Sequence, residues 1–255
     1  MINVWKSSLL AEKGVLNFFT MRLGGVSEPP YDSLNLGLTT GDSAENVRKN
    51  REIVEAEQKV ELFSLAWQVH GNHVLALRKG DVIPKEPDLP EADAIISDIP
   101  ELSLAMFFAD CVPIFLWDPV HWAGGLVHAG WRSTLQDILN RSLESMKTVF
   151  NSNLSDLTAC IGPSIGPCCF EVQSDVWEPF QRKFGKKVLV QKEERIHLDL
   201  WECNFQTLLK KGVNASKIDR ADLCTSCSSV FFFSHRRDKG KTGRMAGVIQ
   251  IPGKN

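Results

Sequence analysis

The sequence predicts an α+β fold in which mixed β-sheets are flanked by helices, within a single domain that spans residues 1–255. Three observations support this fold class. Short apolar runs indicate strands, longer segments with apolar residues at helical spacing indicate helices, and the two alternate without the strict βαβ rhythm of a doubly wound sheet. The loosest stretch, the proline-rich residues 84–91, is typical of a surface loop rather than of a linker between domains.

Apolar runs bounded by turn residues predict the strands. Ser103–Phe108 and residues 114–117 are continuous and apolar, which is typical of buried strands. The other predicted strands are residues 15–20, 62–70, 74–77, 124–128, 230–233 and 245–251, and the last two are expected to pair.

Three helices are predicted. Residues 133–150 carry apolar side chains at helical spacing, and Ser133 or Thr134 is a suitable N-cap. A second helix over residues 199–211 ends at Gly212, since glycine commonly terminates helices, and a third covers residues 175–184.

Composition excludes several classes of protein. The formal net charge of −2 and the lack of a polybasic run argue against a nucleic-acid-binding protein. No apolar stretch reaches the roughly 18 residues of a membrane span, and charged residues interrupt the N-terminal apolar positions, so we expect neither a signal peptide nor a membrane anchor. Seven irregularly spaced cysteines are then expected to be reduced thiols in the cytoplasm. The oligomeric state cannot be predicted.

Three segments place a potential metal ligand at or near the end of an apolar run, next to a turn: WQVHG with His70, ADCVP with Cys111, and LVHAGWR with His128. Two imidazoles and a thiolate suit zinc, and three protein ligands leave a fourth position open for water or substrate, as in catalytic zinc sites. Ligands this far apart have no diagnostic spacing, so a structural role for each residue also remains open.

The same segments resemble the signature motifs of the YfiH-type purine nucleoside phosphorylase/laccase-domain family. The resemblance runs in order from about residue 20 to residue 249, and Ser133 departs from the family's usual glycine. Further matching segments are TMR and GGVS (20–27), LNLG and GD (34–42), NR (50–51), ADA (92–94), IGP to EV (161–172), DLCT (222–225) and SHRRDKGKTGRM (234–245).

The resemblance implies that His70, Cys111 and His128 bind zinc. It also implies phosphorolysis of adenosine, inosine, guanosine or S-methyl-5'-thioadenosine, with adenosine deaminase activity in the same site. Nucleoside and phosphate are then the expected small-molecule partners. Some members of the family are described as copper-dependent polyphenol oxidases.

Phosphorolysis requires a phosphate site, and arginine binds two phosphate oxygens at once. Arg132 is the first candidate, because it follows His128 at the start of a predicted helix. Asp110 is a candidate proton shuttle for deamination or a residue that fixes its turn. Other candidates for substrate or phosphate binding are Arg22, Arg51, Gln68 and Arg244, each next to a glycine turn or inside a matching motif. Of the remaining histidines, His235 is the best placed to face substrate.

Two rival functions use the same residues. A copper oxidase is compatible with a ligand set of two histidines and a cysteine, although six scattered histidines are few for several copper centres. A metal-free cysteine hydrolase or amidase would use Cys111 as nucleophile and a histidine as base. Separately, Cys224 and Cys227 resemble half of a zinc knuckle, but the adjacent Cys168 and Cys169 lack the spacing of a second half, so two unligated thiols are expected there.

Overall fold

The computed structural model describes residues 1–62 and 65–253. None of the helices in these two ranges is both long enough and apolar enough to cross a membrane. The helices are α1 (Ser8–Ala11), α2 (Ala44–Gln58), α3 (Trp131–Leu135), α4 (Ile138–Phe150), α5 (Ser174–Phe184) and α6 (Leu200–Lys210). The strands are β1 (Val4–Trp5), β2 (Leu16–Thr20), β3 (Val74–Leu77), β4 (Ala94–Ser97), β5 (Ser103–Phe108), β6 (Val112–Asp118), β7 (Ala123–Ala129), β8 (Thr158–Ile161), β9 (Glu171–Val172), β10 (Leu189–Lys192), β11 (Arg195–Leu198), β12 (Ile218–Arg220) and β13 (Met245–Gln250).

The strands form three sheets. A six-stranded mixed sheet has the order β12-β8-β6-β7-β4-β3, with parallel pairs at both edges and antiparallel pairs between them. A four-stranded antiparallel sheet has the order β1-β2-β13-β5, and a small antiparallel sheet has the order β10-β11-β9. These mixed sheets with surrounding helices confirm the predicted fold class.

The six-stranded sheet is buried on both faces, which explains why its central strand β6 is continuously apolar. Successive side chains of a strand point to opposite faces. On β6, Ile114 and Leu116 belong to the apolar cluster that includes Leu139 and Met146 of α4, whereas Phe115 and Trp117 pack toward the four-stranded sheet. The two sheets therefore lie face to face with a shared core between them.

The four-stranded sheet is covered on its outer face as well. Phe18 of β2 and Val248 of β13 pack there with Val54 of α2. The layers thus run from α4, through the two sheets, to α2. Such double-sided burial removes both sheets from water and leaves the ends of their strands for polar chemistry.

The predicted helix over residues 133–150 is interrupted. α3 ends at Leu135 and α4 begins at Ile138, because Asp137 adopts a left-handed conformation with φ of 67°. The predicted caps are also wrong, since Gly130 precedes the first turn of α3 and Ser133 and Thr134 lie inside that helix. The other two helices match α5 and α6, and Asp199 caps α6 by accepting a hydrogen bond from the Glu202 N–H.

Two predicted strands are wrong. Residues 65–70 form only an isolated bridge between Trp67 and Glu91, and residues 63 and 64 of this prediction lie outside the described part of the chain. Residues 230–233 form a turn in which the Phe231 N–H bonds to Ser228, and β13 pairs with β2 and β5 instead. In these loops Leu65, Phe232 and Phe233 are buried, whereas the apolar side chains beside them, Trp67, Val69, Val230 and Phe231, are exposed. Hydrophobicity alone does not distinguish such loop residues from a strand.

Replacing Phe115 tests the shared core. Phe115→Ala removes a fully buried ring between the two sheets, so the free energy of unfolding should fall by about 3–5 kcal/mol in urea denaturation. Val82→Ala is the matched control at a 91% exposed apolar residue and should change it by less than about 0.5 kcal/mol. A small loss at Phe115 would contradict the face-to-face packing.

Candidate metal centre and its cavity

A cavity of about 480 Å³ opens where strands of the six-stranded sheet end. Its size is within the range of small-molecule binding sites. His70, Cys111 and His128 all line it. Around them the lining combines aromatic and apolar side chains (Phe107, Trp131, Ile165, Phe170, Leu200) with guanidinium groups (Arg51, Arg132, Arg236, Arg244).

Strand register brings Cys111 next to the chain after His128. In the antiparallel pair of β6 and β7, Val112 lies opposite Ala129, so Cys111 and Gly130 face each other just beyond the ladder. A Cβ atom at Gly130 would lie 2.9 Å from the Cys111 sulfur and 3.3 Å from a carbon of the His70 ring. Glycine at this position therefore provides the space in which the thiol and the imidazole meet.

Asp93 orients His128. It directly precedes β4, whose register with β7 places Ala94 opposite Val127. The Asp93 backbone carbonyl accepts the His128 N–H at 2.8 Å, and its Oδ1 lies 2.7 Å from His128 Nδ1. With Nδ1 held by the carboxylate, His128 presents Nε2 to a ligand, which is the usual second-shell arrangement of metal-binding histidines.

The same carboxylate places His70. It accepts hydrogen bonds from the backbone N–H groups of Val69 at 3.2 Å, His70 at 3.0 Å and Gly71 at 2.6 Å. These bonds hold the loop in a tight turn in which His70 has a φ of 58°, in the left-handed region that non-glycine residues rarely occupy. Such backbone conformations persist where the surroundings fix them, and they cluster at functional sites.

Donor atoms of His70, Cys111 and His128 lie within 4.8 Å of one another. Two imidazole nitrogens and one sulfur fit zinc, whose bonds to these ligands are about 2.0–2.3 Å long. The rings of His70 and His128 meet edge to face with centroids 4.8 Å apart. The three side chains, which are far apart in sequence, thus form one potential tridentate site.

Electrostatics favour a thiolate in this cluster. Burial raises the pKa of Cys111, but the His128 and His70 imidazoles outweigh it and lower the pKa to about 6. Burial lowers the pKa of His128, but the Cys111 thiolate and Asp93 outweigh it and raise the pKa to about 9. Burial also raises the pKa of Asp93, and His128 together with the Gly71 and His70 N–H groups brings it below its usual value. Cys111 is therefore ready to act as a ligand or a nucleophile near neutral pH.

Asp110 lies beside Cys111, and its carboxylate is fully engaged. One oxygen accepts from Thr225 Oγ1 at 2.6 Å, and the other from Ser234 Oγ at 3.0 Å and the Arg236 N–H at 2.7 Å. Both oxygens of this carboxylate are therefore occupied by donors from the protein. Its φ of 88° further marks it as the residue that forms the turn before Cys111. This geometry favours the turn-fixing role over the proton shuttle.

Three of the four arginines expected to bind phosphate line the cavity. The guanidinium carbon of Arg51 lies 4.7 Å from the centroid of the Phe107 ring, and Arg51 donates a hydrogen bond to the Leu36 carbonyl. Arg244 donates to the Thr242 and Gly243 carbonyls. Arg132 is exposed, and its guanidinium carbon lies 4.2 Å from the centroid of the Trp131 ring. Among the described residues, the Arg132 guanidinium has no hydrogen-bond acceptor in the protein, so it is the freest of the three to bind an anion.

Two of the expected substrate-binding residues are used differently. Arg22 does not line the cavity, because it bonds to the Asp32 backbone and carboxylate and to the Ser229 carbonyl. Gln68 does line it, but its amide makes a hydrogen-bond pair with the Phe107 backbone at 2.7 and 2.9 Å. Arg22 is thus a structural clamp, and Gln68 positions the loop that carries His70.

Sequence reasoning missed several residues of the site. Asp93 was noticed only as part of a matching motif, although a carboxylate at the start of the buried run AIIS is a detectable signal. Arg236 and Phe170 also line the cavity, with the Arg236 guanidinium 4.9 Å from the Phe170 ring centroid. No local pattern marks that pair. His235, expected to face substrate, lines the cavity.

The chain is similar in sequence and in structure to known proteins. Residues 16–252 match the family model described as multi-copper polyphenol oxidoreductase laccase. The chain is 35% identical to purine nucleoside phosphorylase YlmD of Bacillus subtilis, over 98% of this chain and 93% of the relative. It is 36% identical to purine nucleoside phosphorylase YfiH of Escherichia coli, over 94% and 95%. The crystal structure of YlmD from Geobacillus stearothermophilus superposes with a TM-score of 0.89, at 34% identity and with 97% and 94% of the two chains covered.

Asp93→Asn tests the orientation of the metal ligands. An amide cannot accept all of the donors now shared by the carboxylate, so His128 and His70 lose their fixed geometry and zinc affinity should fall about 10–100-fold. The measurement is competition with a chromogenic chelator. Asp98→Asn is the matched control, because Asp98 directly follows β4 and its carboxylate accepts the Lys79 N–H, away from the cavity. Equal affinities for the two variants would contradict the role of Asp93.

Proposed function

The chain belongs to the laccase-domain family that includes the YfiH and YlmD purine nucleoside phosphorylases, and we propose that it is a zinc-dependent purine nucleoside phosphorylase. The proposed substrates are adenosine, inosine, guanosine and S-methyl-5'-thioadenosine. The proposed metal ligands are His70, Cys111 and His128. The whole chain is proposed to act as one YfiH-type domain in the cytoplasm, where its seven cysteines, none of them in a disulfide bond, would stay reduced.

One observation carries the proposal: three zinc-type donors lie within 4.8 Å of one another inside a cavity that also holds several arginines. A purely structural zinc site has four protein ligands, whereas a set of three leaves one position for a reactant. Zinc bound there would supply a Lewis acid next to the substrate. The arginines would form the binding site for the phosphate that phosphorolysis requires.

Phosphate is proposed to bind at Arg132, Arg51 and Arg244. Burial lowers the pKa of Arg244, and the negative charges of Cys111 and Asp110 oppose that shift, which places this cation beside the thiolate. Several guanidinium groups can share the charge of a phosphate dianion. Phe107 and Phe170 offer apolar surface for the flat purine ring.

The chain's residues would then position the two reactants for one displacement. A phosphate oxygen forms a bond to the anomeric carbon of ribose while the bond from that carbon to the purine nitrogen breaks. Arginine side chains hold the attacking phosphate and the apolar lining excludes competing water. The departing base takes up a proton, and the products are the free purine and ribose 1-phosphate.

Adenosine deaminase activity is proposed in the same site. In this reaction water adds to the purine carbon that carries the amino group, and the amino group leaves as ammonia, so some group must move a proton from the water to the departing nitrogen. Asp110 is engaged by three donors, so this function would fall to a residue with a free polar atom at the cavity. His235 lines the cavity and has a titratable ring, which makes it the better candidate.

A copper-dependent polyphenol oxidase is the first alternative. The description of the matching family model supports it, as does the affinity of copper for imidazole and thiolate. Within the described ranges, however, only one of the metal-type clusters contains histidine. Several copper centres would need more imidazole ligands than this cluster provides.

A cysteine hydrolase or amidase is the second alternative. The observation that favours it is the lowered pKa of Cys111, about 6, beside the His128 imidazole, a combination that gives a thiolate nucleophile at neutral pH. Chelation distinguishes this alternative, since a thiol enzyme would keep its activity when the metal is removed.

Product analysis with adenosine tests the proposed function. In the presence of phosphate, the purified protein should release adenine and ribose 1-phosphate, and without phosphate it should release neither. Chelation or Cys111→Ala should reduce the rate at least about 100-fold, because the charge stabilisation by the metal is worth several kcal/mol.

Cys203→Ala is the matched control for the cysteine substitution. Cys203 is buried in α6 and does not line the cavity, so this variant should keep its activity. Free ribose as the product would indicate a hydrolase. Oxidation of a phenol without any base release would instead favour the copper alternative and overturn the phosphorylase.

A further inference from the structure

Four cysteines outside the cavity converge on one point. The sulfur atoms of Cys168, Cys169, Cys224 and Cys227 all lie within 4.8 Å of one another. Cys227 Sγ is 3.4 Å from Cys168 Sγ and 3.3 Å from Cys169 Sγ. The sequence-based expectation of two unligated thiols at Cys224 and Cys227 missed this convergence, because the second pair lies more than fifty residues earlier in the chain.

Two tight turns present these thiols. In the first, the Cys169 and Phe170 N–H groups both bond to the Gly166 carbonyl, and in the second the Ser228 N–H bonds to the Cys224 carbonyl. An isolated parallel bridge between Ser164 and Cys224 fixes the two turns side by side. The backbone therefore sets the positions of the thiols, whatever their chemical state.

Glycine at position 166 is part of this arrangement. A Cβ atom there would lie 3.2 Å from the Cys168 sulfur and 2.6 Å from the Trp201 ring. The Gly166 N–H also donates to Cys224 Sγ at 3.3 Å. A backbone donor to sulfur stabilises a thiolate, as in known thiolate metal centres.

The distances fit a shared centre better than a disulfide. Zinc–sulfur bonds of about 2.3 Å in a tetrahedron place the sulfur atoms roughly 3.8 Å apart. This spacing is close to the contacts of 3.3 and 3.4 Å and below the 4.8 Å within which all four sulfur atoms lie. A disulfide bond joins only two sulfur atoms, at about 2.05 Å. Cys227 is almost equally close to two partners, so neither pairing is preferred.

We propose that Cys168, Cys169, Cys224 and Cys227 bind a second zinc ion as a structural tetrathiolate site, separate from the His70–Cys111–His128 centre. Ligation replaces the thiol protons, which pass to solvent, and it involves no change of oxidation state. Lys192, whose Nζ donates to the Cys168 carbonyl at 3.0 Å, lies close enough to offset part of the negative charge. Four protein ligands leave no open position, as expected of a structural site.

A metal bound at this site would stabilise one side of the cavity. Its first turn is flanked by Ile165 and Phe170, which line the cavity, and its second turn is continuous with Thr225, which bonds to Asp110. A metal that joins the two turns would thus hold the support of Cys111 in place without touching substrate.

Metal counting in variants tests the proposal. The protein is expressed in medium supplemented with zinc and purified by gel filtration, and its zinc content per chain is measured by inductively coupled plasma mass spectrometry. Cys111→Ala, which disrupts the cavity centre, should retain one zinc per chain. Adding Cys224→Ser and Cys227→Ser to it should remove that zinc, and adding Cys203→Ser, a buried cysteine outside both clusters, should not. A Cys111→Ala protein without zinc would overturn the proposal.

Two measurements cover the case in which the cluster variant does not fold. Cobalt-loaded Cys111→Ala protein should show the strong visible and charge-transfer absorption of tetrahedral cobalt with several thiolates. In a second measurement, wild-type protein is denatured in the presence of a chelator, without any reductant, and its cysteines are alkylated. Each of the four cysteines of the cluster should then carry one label. A cobalt spectrum without thiolate bands would contradict the site. So would a protein in which two cysteines of the cluster remain unlabelled, because a disulfide bond protects two cysteines from alkylation. These readouts do not depend on nucleoside activity, so they can fail or succeed independently of the proposed function.

Discussion

The Asp93 carboxylate holds the site together. It joins the loop of His70 to the strand of His128, since it accepts three backbone N–H groups around His70 and lies within hydrogen-bond distance of His128 Nδ1. Its side chain is fully buried, so these donors replace the water that an ionised carboxylate would otherwise need. Removing any one of the donors would leave part of that charge uncompensated. The two histidines are therefore placed by one interaction, and the third member, Cys111, is placed by the register of β6 against β7.

The layered fold explains why that interaction can be so well defined. Both faces of the six-stranded sheet are buried, between α4 on one side and the four-stranded sheet on the other, and only strand ends and loops are free to carry polar chemistry. Packing of this density keeps the ends of β4, β6 and β7 in fixed relative positions. The left-handed residue Asp110 lies just before β6, and the left-handed His70 lies in the loop held by Asp93. At both places the surrounding hydrogen bonds stabilise conformations that an isolated chain would avoid. Support for the cavity then extends outward through Asp110 to Thr225 and the cysteine turns.

Local sequence patterns predicted the parts of the fold that are decided locally. β5 was predicted at its observed bounds because a strand buried on both faces is an uninterrupted apolar run. The break between α3 and α4 was missed because Asp137 interrupts the backbone without interrupting the apolar spacing. The strand predicted over residues 62–70 is wrong because the N–H groups of Val69 and His70 bond to the Asp93 carboxylate, more than twenty residues later, and this partner is not visible in the local pattern. The same limit applies to the cysteine cluster and to Arg236, whose partners come from distant segments. The grouping of His70, Cys111 and His128 could be predicted from a family resemblance, whereas their spacing alone left it open.

His70, Cys111 and His128 are proposed to form one metal centre with an open position toward the cavity. Anomalous diffraction at the zinc edge from crystals of the zinc-loaded protein tests it most directly. We expect a peak about 2.0–2.3 Å from one nitrogen of each histidine and from the Cys111 sulfur, with a fourth, non-protein ligand on the cavity side. A zinc peak at the cysteine cluster alone, or four protein ligands around the cavity metal, would contradict it.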